Sequence, residues 1–328
     1  MPPEETIADI ASGRIYGSTE VALAVLEDIR RESSRDPRGF ARFLLEYVPR
    51  YLAARPTSVA LLNAIREFLS SYLEAARRGE SPRDAVPNIV DSIISARIAA
   101  KSAIAEIGAR RLKDGESVLM HSYSRTAMGI VKKAAEELGL KLSVYVTESR
   151  PIGEGLKAAE ELARAVGGGR IKVKVIVDSA VRYFMKDVDR VIVGADAVAA
   201  NGAVVNKVGT SVVALAAKEA RVNFYVAAET YKFSFETLTG ELVPQVVLSE
   251  ASLVAPPKRM MGLVGKVVVK APIFDVTPAE YIDAIITEKG VVAPQAIPLL
   301  IREIYGWPPR VPNVQGLLKE VERLADAR

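Results

Sequence analysis

Cysteine is absent from the 328 residues, and histidine occurs once, at His121. The first absence excludes disulfides, thiolate nucleophiles and every cysteine-ligated metal site. The second excludes a histidine-cluster metal site and leaves a Ser-His-Asp triad a single imidazole to work with. Neither a metal nor a cofactor is expected. No apolar run reaches the roughly 18 residues that span a bilayer. The opening stretch, MPPEETIADIASGRIYGSTE, is acidic and has no apolar segment of the signal-peptide kind. The expectation is a cytoplasmic protein without a membrane partner. Nor does one charge sign dominate: 44 Lys and Arg stand against 40 Asp and Glu, for a net charge of +4. A nucleic-acid binder gathers its positive charge, whereas here the two signs alternate along the chain, so no direct nucleic-acid contact is expected. What remains is 49% hydrophobic and 26% charged, the balance of a globular protein with a real core. At roughly 150 residues per domain, the length suits one large domain or two ordinary ones.

Residues 1–113 read as helix after helix. Ser18 is placed to cap a segment whose apolar face is Val21, Val25, Leu26 and Ile29. Phe40, Phe43, Leu44, Tyr47 and Val48 follow at helical spacing, and Pro49 is expected to end or kink that helix because it lacks the N–H. A third helix spans Thr57 to Arg78, and a fourth starts near Ser81 or Val86 and runs to Leu112. After Asp114-Gly115 the periodicity changes. Short β-rich runs (117–120, 142–147, 171–177, 190–193, 223–227) alternate with helical stretches (124–138, 155–166, 180–186, 210–220). Strands spaced by helices predict βαβ units and a parallel sheet. The domain boundary therefore falls at residue 113, with a helical domain over 1–113 and a Rossmann-like α/β ligand-binding domain over 114–328. Gly167-Gly168-Gly169 reads as a helix stop.

In an open parallel sheet, ligands bind beyond the carboxyl ends of the strands. The residues just after each predicted strand are polar here: His121 to Arg125, Thr147 to Pro151, Asp178-Ser179, Gly194 to Asp196, and Glu229 to Lys232. Ser122 and Ser124 stand at a strand-to-helix junction, where a hydroxyl either caps free N–H groups or, with Arg125, helps to cradle an anion. Arg150, before a proline at a strand end, is a solvated charge or a phosphate clamp. Asp196, emerging from the apolar run Val-Ile-Val-Gly-Ala, suits acid/base work. Lys207, the Gly209 backbone and Thr210 form a second candidate anion site at a helix start. His121 reads as a satisfied junction residue, and Asn201-Gly202 as a hairpin turn.

Four segments carry more than spacing. They are Val-Gly-Ala-Asp-Ala-Val-Ala-Ala-Asn-Gly-Ala-Val-Val-Asn-Lys-Val-Gly-Thr (193–210), Val-Thr-Glu-Ser-Arg-Pro (146–151), Ala-Ala-Glu-Thr-Tyr-Lys-Phe (227–233) and Phe-Asp-Val-Thr-Pro-Ala-Glu-Tyr (274–281). Together they resemble the translation initiation factor 2B alpha/beta/delta family, and Arg55-Pro56-Thr57 extends the likeness into the helical region. That family holds regulatory subunits of the eukaryotic exchange factor, their archaeal relatives, and isomerases of methylthioribose 1-phosphate and ribose 1,5-bisphosphate. In texture the chain is most similar to the archaeal ribose-1,5-bisphosphate isomerases. The resemblance implies a helical domain followed by a Rossmann-like (NagB/RpiA-type) domain, and a sugar-phosphate or AMP-like nucleotide as ligand. It also implies a homodimer or a trimer of dimers. In the isomerases a cysteine after the first strand and an aspartate after the fourth move protons between C1 and C2. Asp196 matches the aspartate, and Ser122 stands at the cysteine position. Arg55, Arg150, Asn206 and Lys207 match substrate-binding positions. Ile10-Ala11-Ser12-Gly13 stands where the isomerases carry an Arg-Gly-Ala-Gly run, and His-Ser-Tyr-Ser-Arg resembles the loop of the exchange factor's alpha subunit. A thiol ionises near pH 8.5, at about the model value, whereas an alcohol needs an adjacent base. On these grounds the expectation is a non-catalytic or weakly catalytic factor 2B-related regulatory protein that keeps the pocket as a ligand sensor, and the resemblance implies the alpha subunit of initiation factor 2 as partner. The alternative is an active isomerase making ribulose 1,5-bisphosphate.

Overall fold

The computed structural model describes residues 2–15, 17–165, 169–239, 247–248, 268, 270–306 and 312–326. They divide into two compact units. One holds Met1–Ala99, Tyr231–Phe233 and Ile301–Arg328, and the other holds Ala100–Thr230 and Ser234–Leu300.

The first unit is helical. Its elements are α1 (Pro3–Ala11), α2 (Ser18–Arg35), α3 (Phe40–Ala54), α4 (Val59–Arg77) and the first two-thirds of α5 (Pro82–Ala109). Leu26, Ile29, Phe40, Leu44, Leu61, Ile65 and Phe68 lie on the inward stripes and form one core. Each such side chain contributes roughly 1.5–3 kcal/mol by leaving water. Ser58 caps α4 by accepting from the Leu61 N–H. The helix does not end at Pro49: α3 runs on through it to Ala54. Pro49 lies on the exposed face of the helix. The C-terminal helix, Val314–Asp326, adds Val314, Leu317 and Val321 to this same core. Its residues therefore belong with the N-terminal helices, whereas a single cut at residue 113 puts them in the α/β domain. Amphipathic spacing gives the helix an apolar stripe, but does not say which core that stripe completes.

The second unit is built on a sheet in which, among the described residues, seven strands pair. In chain order its elements are β1 (Ser117–Met120), α6 (Arg125–Glu136), β2 (Leu142–Thr147), α7 (Glu154–Ala165), β3 (Ile171–Ile176), α8 (Val181–Phe184) and β4 (Arg190–Val193). A hairpin of β5 (Ala197–Ala199) and β6 (Val204–Lys207) follows, then α9 (Thr210–Ala220) and β7 (Asn223–Ala227). The sheet order is β3-β2-β1-β4-β7, then Ala284–Thr287 and Gly290–Val292. Every pairing is parallel except the last hairpin. The predicted α/β fold with a helical N-terminal region is thus observed. The alternation of strand and helix, with Val118, Val144, Val146, Ile192 and Ala227 packed inward, accounts for it. Outside this sheet, Phe274–Thr277 pairs antiparallel with β6, setting Phe274 against Lys207 and Asp275 against Asn206. The expected stop at Gly167-Gly168-Gly169 lies mostly outside the described residues. No helix among the described residues is long and apolar enough to cross a membrane.

Candidate functional site

The strand order reverses between β1 and β4, which makes their carboxyl ends the switch point where such sheets open a crevice. β1 leads into His121-Ser122 and β4 into Gly194-Ala195-Asp196. The two loops touch: a Cβ placed on Gly194 would lie 2.3 Å from Ser124 Oγ, so only glycine admits this approach.

His121 is buried, and both ring nitrogens are engaged. Nε2 lies 2.9 Å from the Val208 carbonyl and Nδ1 2.7 Å from Thr147 Oγ1. A carbonyl only accepts, so Nε2 carries the proton and Nδ1 accepts from the threonine hydroxyl. Ser149 Oγ, 3.0 Å from Thr147 Oγ1, in turn accepts the Ser122 N–H at 2.7 Å. This chain of bonds joins the ends of β1 and β2 to the loop after β6. It also holds Ser122 at φ 71°, a left-handed conformation rare for serine. The imidazole is thus the junction residue that its sequence context predicts. Burial lowers its pKa, against the opposing pull of the Val208 carbonyl and of Asp178, Asp275 and Glu154. Folded His121 therefore stays neutral while the unfolded chain takes up a proton. Stability should fall as pH drops below about 6.5, by up to about 1.4 kcal/mol per pH unit. Melting curves from pH 8 to 5 should show a steeper decline for the wild type than for His121→Gln. Parallel declines would remove His121 as the source.

Beside Ser122 lies a group that the sequence reading passed over. Ser122 Oγ donates to Glu154 Oε1 at 2.5 Å, and Glu154 Oε2 pairs with Lys207 Nζ at 3.1 Å. All three residues are at least nine-tenths buried. Glu154 is the first residue of α7, where the helix N-terminus favours a carboxylate. A Cβ on the next residue, Gly155, would sit 1.8 Å from the Thr147 carbonyl oxygen. That glycine lets α7 start tight against the end of β2, so that Glu154 reaches over to Ser122. The visible signal was a carboxylate at a helix start four residues beyond the loop 147–150. On its face that is an ordinary first-turn acid.

The other expected site residues are distributed unevenly. Asp196 is half-buried, and its backbone N–H is tied to the Val205 carbonyl at 2.9 Å, which fixes the turn from β4 into the hairpin. Ser124 caps α6, accepting the Ala127 N–H at 3.2 Å. Arg125 is exposed and donates through Nε to the Tyr123 hydroxyl at 3.1 Å. Arg150 is also exposed. Its backbone N–H and that of Ser149 both bind the Asp178 carboxylate, at 2.7 and 2.8 Å, which shapes the loop after β2. Asn206 Nδ2 donates to Thr210 Oγ1 at 3.0 Å, and that hydroxyl donates to the Lys207 carbonyl. The expected anion site at the start of α9 already holds an anion of the protein's own. Asp275 Oδ2 accepts from the Gly209 N–H at 2.8 Å, and from the Ser211 N–H and hydroxyl at 3.1 and 2.9 Å. Burial raises the Asp275 pKa, and the bonds from Ser211 and Gly209 work against it. Arg55 lies in the helical unit, at the end of α3. Ile10 is a buried core residue within α1, so it is no loop position from which a side chain would reach a ligand. Among the described residues no cluster of His, Asp and Glu is placed to hold a metal ion.

Residues 13–294 match the Initiation factor 2 subunit family. The ribose 1,5-bisphosphate isomerase of Methanocaldococcus jannaschii is 38% identical over 308 residues, which is 93% of this chain and 96% of that protein. The protein of that name from Archaeoglobus fulgidus is 41% identical over 307 residues, covering 92% and 93%. Among solved structures, the Pyrococcus horikoshii OT3 translation initiation factor eIF-2B superposes with a TM-score of 0.70 at 29% identity, over 89% of this chain and 97% of that one. The expectation of a regulatory factor is overturned here. Six relatives at 34 to 41% identity, each spanning 90 to 93% of this chain, are named as the isomerase. Serine in place of cysteine had argued against catalysis only as long as no base stood beside it.

Proposed function

The chain belongs to the initiation factor 2 subunit family, and on that premise we propose that it is an aldose–ketose isomerase converting ribose 1,5-bisphosphate into ribulose 1,5-bisphosphate. The observation that carries this reading is the set of six isomerase-named relatives that match almost from end to end.

The chemistry sets the demands. The substrate carries a phosphate on its anomeric carbon and is therefore a closed ring. The bond from C1 to the ring oxygen must break, the C2 hydrogen must move to C1, and the C2 hydroxyl must become a carbonyl. Two proton carriers are needed, one for carbon and one for oxygen. Asp196 is assigned the carbon proton, taking it from C2 and giving it to C1. Ser122, at the end of the neighbouring strand, is assigned the oxygen protons. Ser124, Arg150, Asn206 and Lys207 are assigned as donors to the substrate's phosphates and hydroxyls. Incubating the purified protein with ribose 1,5-bisphosphate and following ribulose 1,5-bisphosphate tests the reading. Turnover of roughly ten per second, an ordinary enzyme rate, is expected. Absence of product at saturating substrate would overturn it.

A further inference from the structure

An alcohol is a poor proton carrier on its own, because its proton needs somewhere to go. Here the destination is in place. Ser122 Oγ donates to Glu154 Oε1 at 2.5 Å, and Lys207 holds the other carboxylate oxygen at 3.1 Å. Lys207 thereby turns Oε1 toward the serine, and it leaves the buried carboxylate with a cation beside it. The Ser122 backbone is fixed from the opposite side by its N–H bond to Ser149 Oγ. The hydroxyl therefore has one carboxylate partner in a defined geometry.

We infer that Glu154 is the positioning residue that makes Ser122 a working proton carrier, by receiving the Ser122 hydroxyl proton during the isomerisation. The inference rests on the isomerase reading above. As the reaction ends, the C2 hydroxyl gives its proton to Ser122 Oγ while the serine's own proton crosses to Glu154 Oε1. The O–H electron pair becomes the C2 carbonyl, and the electron pair of the C1–C2 double bond takes the proton that Asp196 carries. This restores the proton spent at ring opening, when it runs from Glu154 through Ser122 to the ring oxygen, which leaves C1 with its bonding pair, while Asp196 takes the C2 proton and the C2–H pair becomes the C1–C2 double bond. Nothing is consumed, and no alkoxide stands free at any point.

The relay predicts a dependence on the residue at position 122. A thiol ionises more readily than an alcohol and does not need the carboxylate. Glu154→Gln should therefore lower kcat by about 10²-fold or more in the otherwise wild-type protein, with KM nearly unchanged. In a Ser122→Cys background the same change should cost less than fivefold. A purely structural Glu154 predicts equal losses in both backgrounds. Melting curves confirm folding; if Glu154→Gln does not fold, Glu154→Asp serves the same comparison, because it keeps the charge but is one carbon short of Ser122. Equal losses, a loss under fivefold in the wild-type background, or an inactive Ser122→Cys protein overturns the inference while leaving the isomerase reading standing. A wild type without turnover removes that reading and this inference with it.

Discussion

Asp196→Asn is expected to lower kcat for ribose 1,5-bisphosphate by about 10² to 10⁴, with KM changed little. The asparagine amide has nearly the shape of the carboxylate but accepts no proton from C2, so the loss falls on the chemical step and not on binding. The backbone of the turn should survive the change. The turn that carries residue 196 is held by its backbone N–H on the Val205 carbonyl, and the flanking Ala195 and Ala197 are buried on either side. Steady-state kinetics with a far-UV spectrum of the variant checks both halves of the statement. A rise in KM at unchanged kcat would make Asp196 a binding residue, and the carbon proton would then need another carrier.

The strand ends at which Asp196 and Ser122 sit could be read from the sequence because apolar β-rich runs stop abruptly at polar residues. Val118 to Met120 before His121, and Val191 to Val193 before Gly194, are fully buried as those runs imply. What sequence spacing does not carry is which distant residue faces a strand end. Glu154 looks like a helix-start acid until α7 is packed against β2 by Gly155. Asp275 lies 66 positions beyond Gly209, and only the antiparallel pairing of Phe274–Thr277 with β6 brings it to the start of α9. A helix N-terminus that seems open to a phosphate is in this way already capped by a carboxylate. Such long-range pairings decide whether a donor is available, and local pattern is silent on them. The same limit lay behind the expectation of an inactive or weakly active protein. The sequence around Ser122 offers no carboxylate base, and the one the fold supplies sits 32 residues along the chain.

Lys207→Met should produce the largest loss of stability. The methionine keeps most of the lysine's apolar stem but removes the ammonium, which leaves the Glu154 carboxylate in a site where its side chain is only 7% exposed. Breaking a buried pair from one side costs about 3–5 kcal/mol, because the remaining charge has lost both its partner and its water. The Lys207 ammonium also lies 5.1 Å from the centre of the Phe274 ring, a contact that methionine replaces only in part. The pair itself is not expected to add much over an apolar substitute, since its desolvation offsets most of the attraction. The double variant Lys207→Met, Glu154→Met should therefore recover a large part of what the single variant loses. Denaturant unfolding of the wild type, both single variants and the double variant closes the cycle. A cost below 1 kcal/mol for Lys207→Met, or a double variant that is the sum of the singles, would mean that water reaches Glu154. The carboxylate would then not depend on Lys207 for its charge.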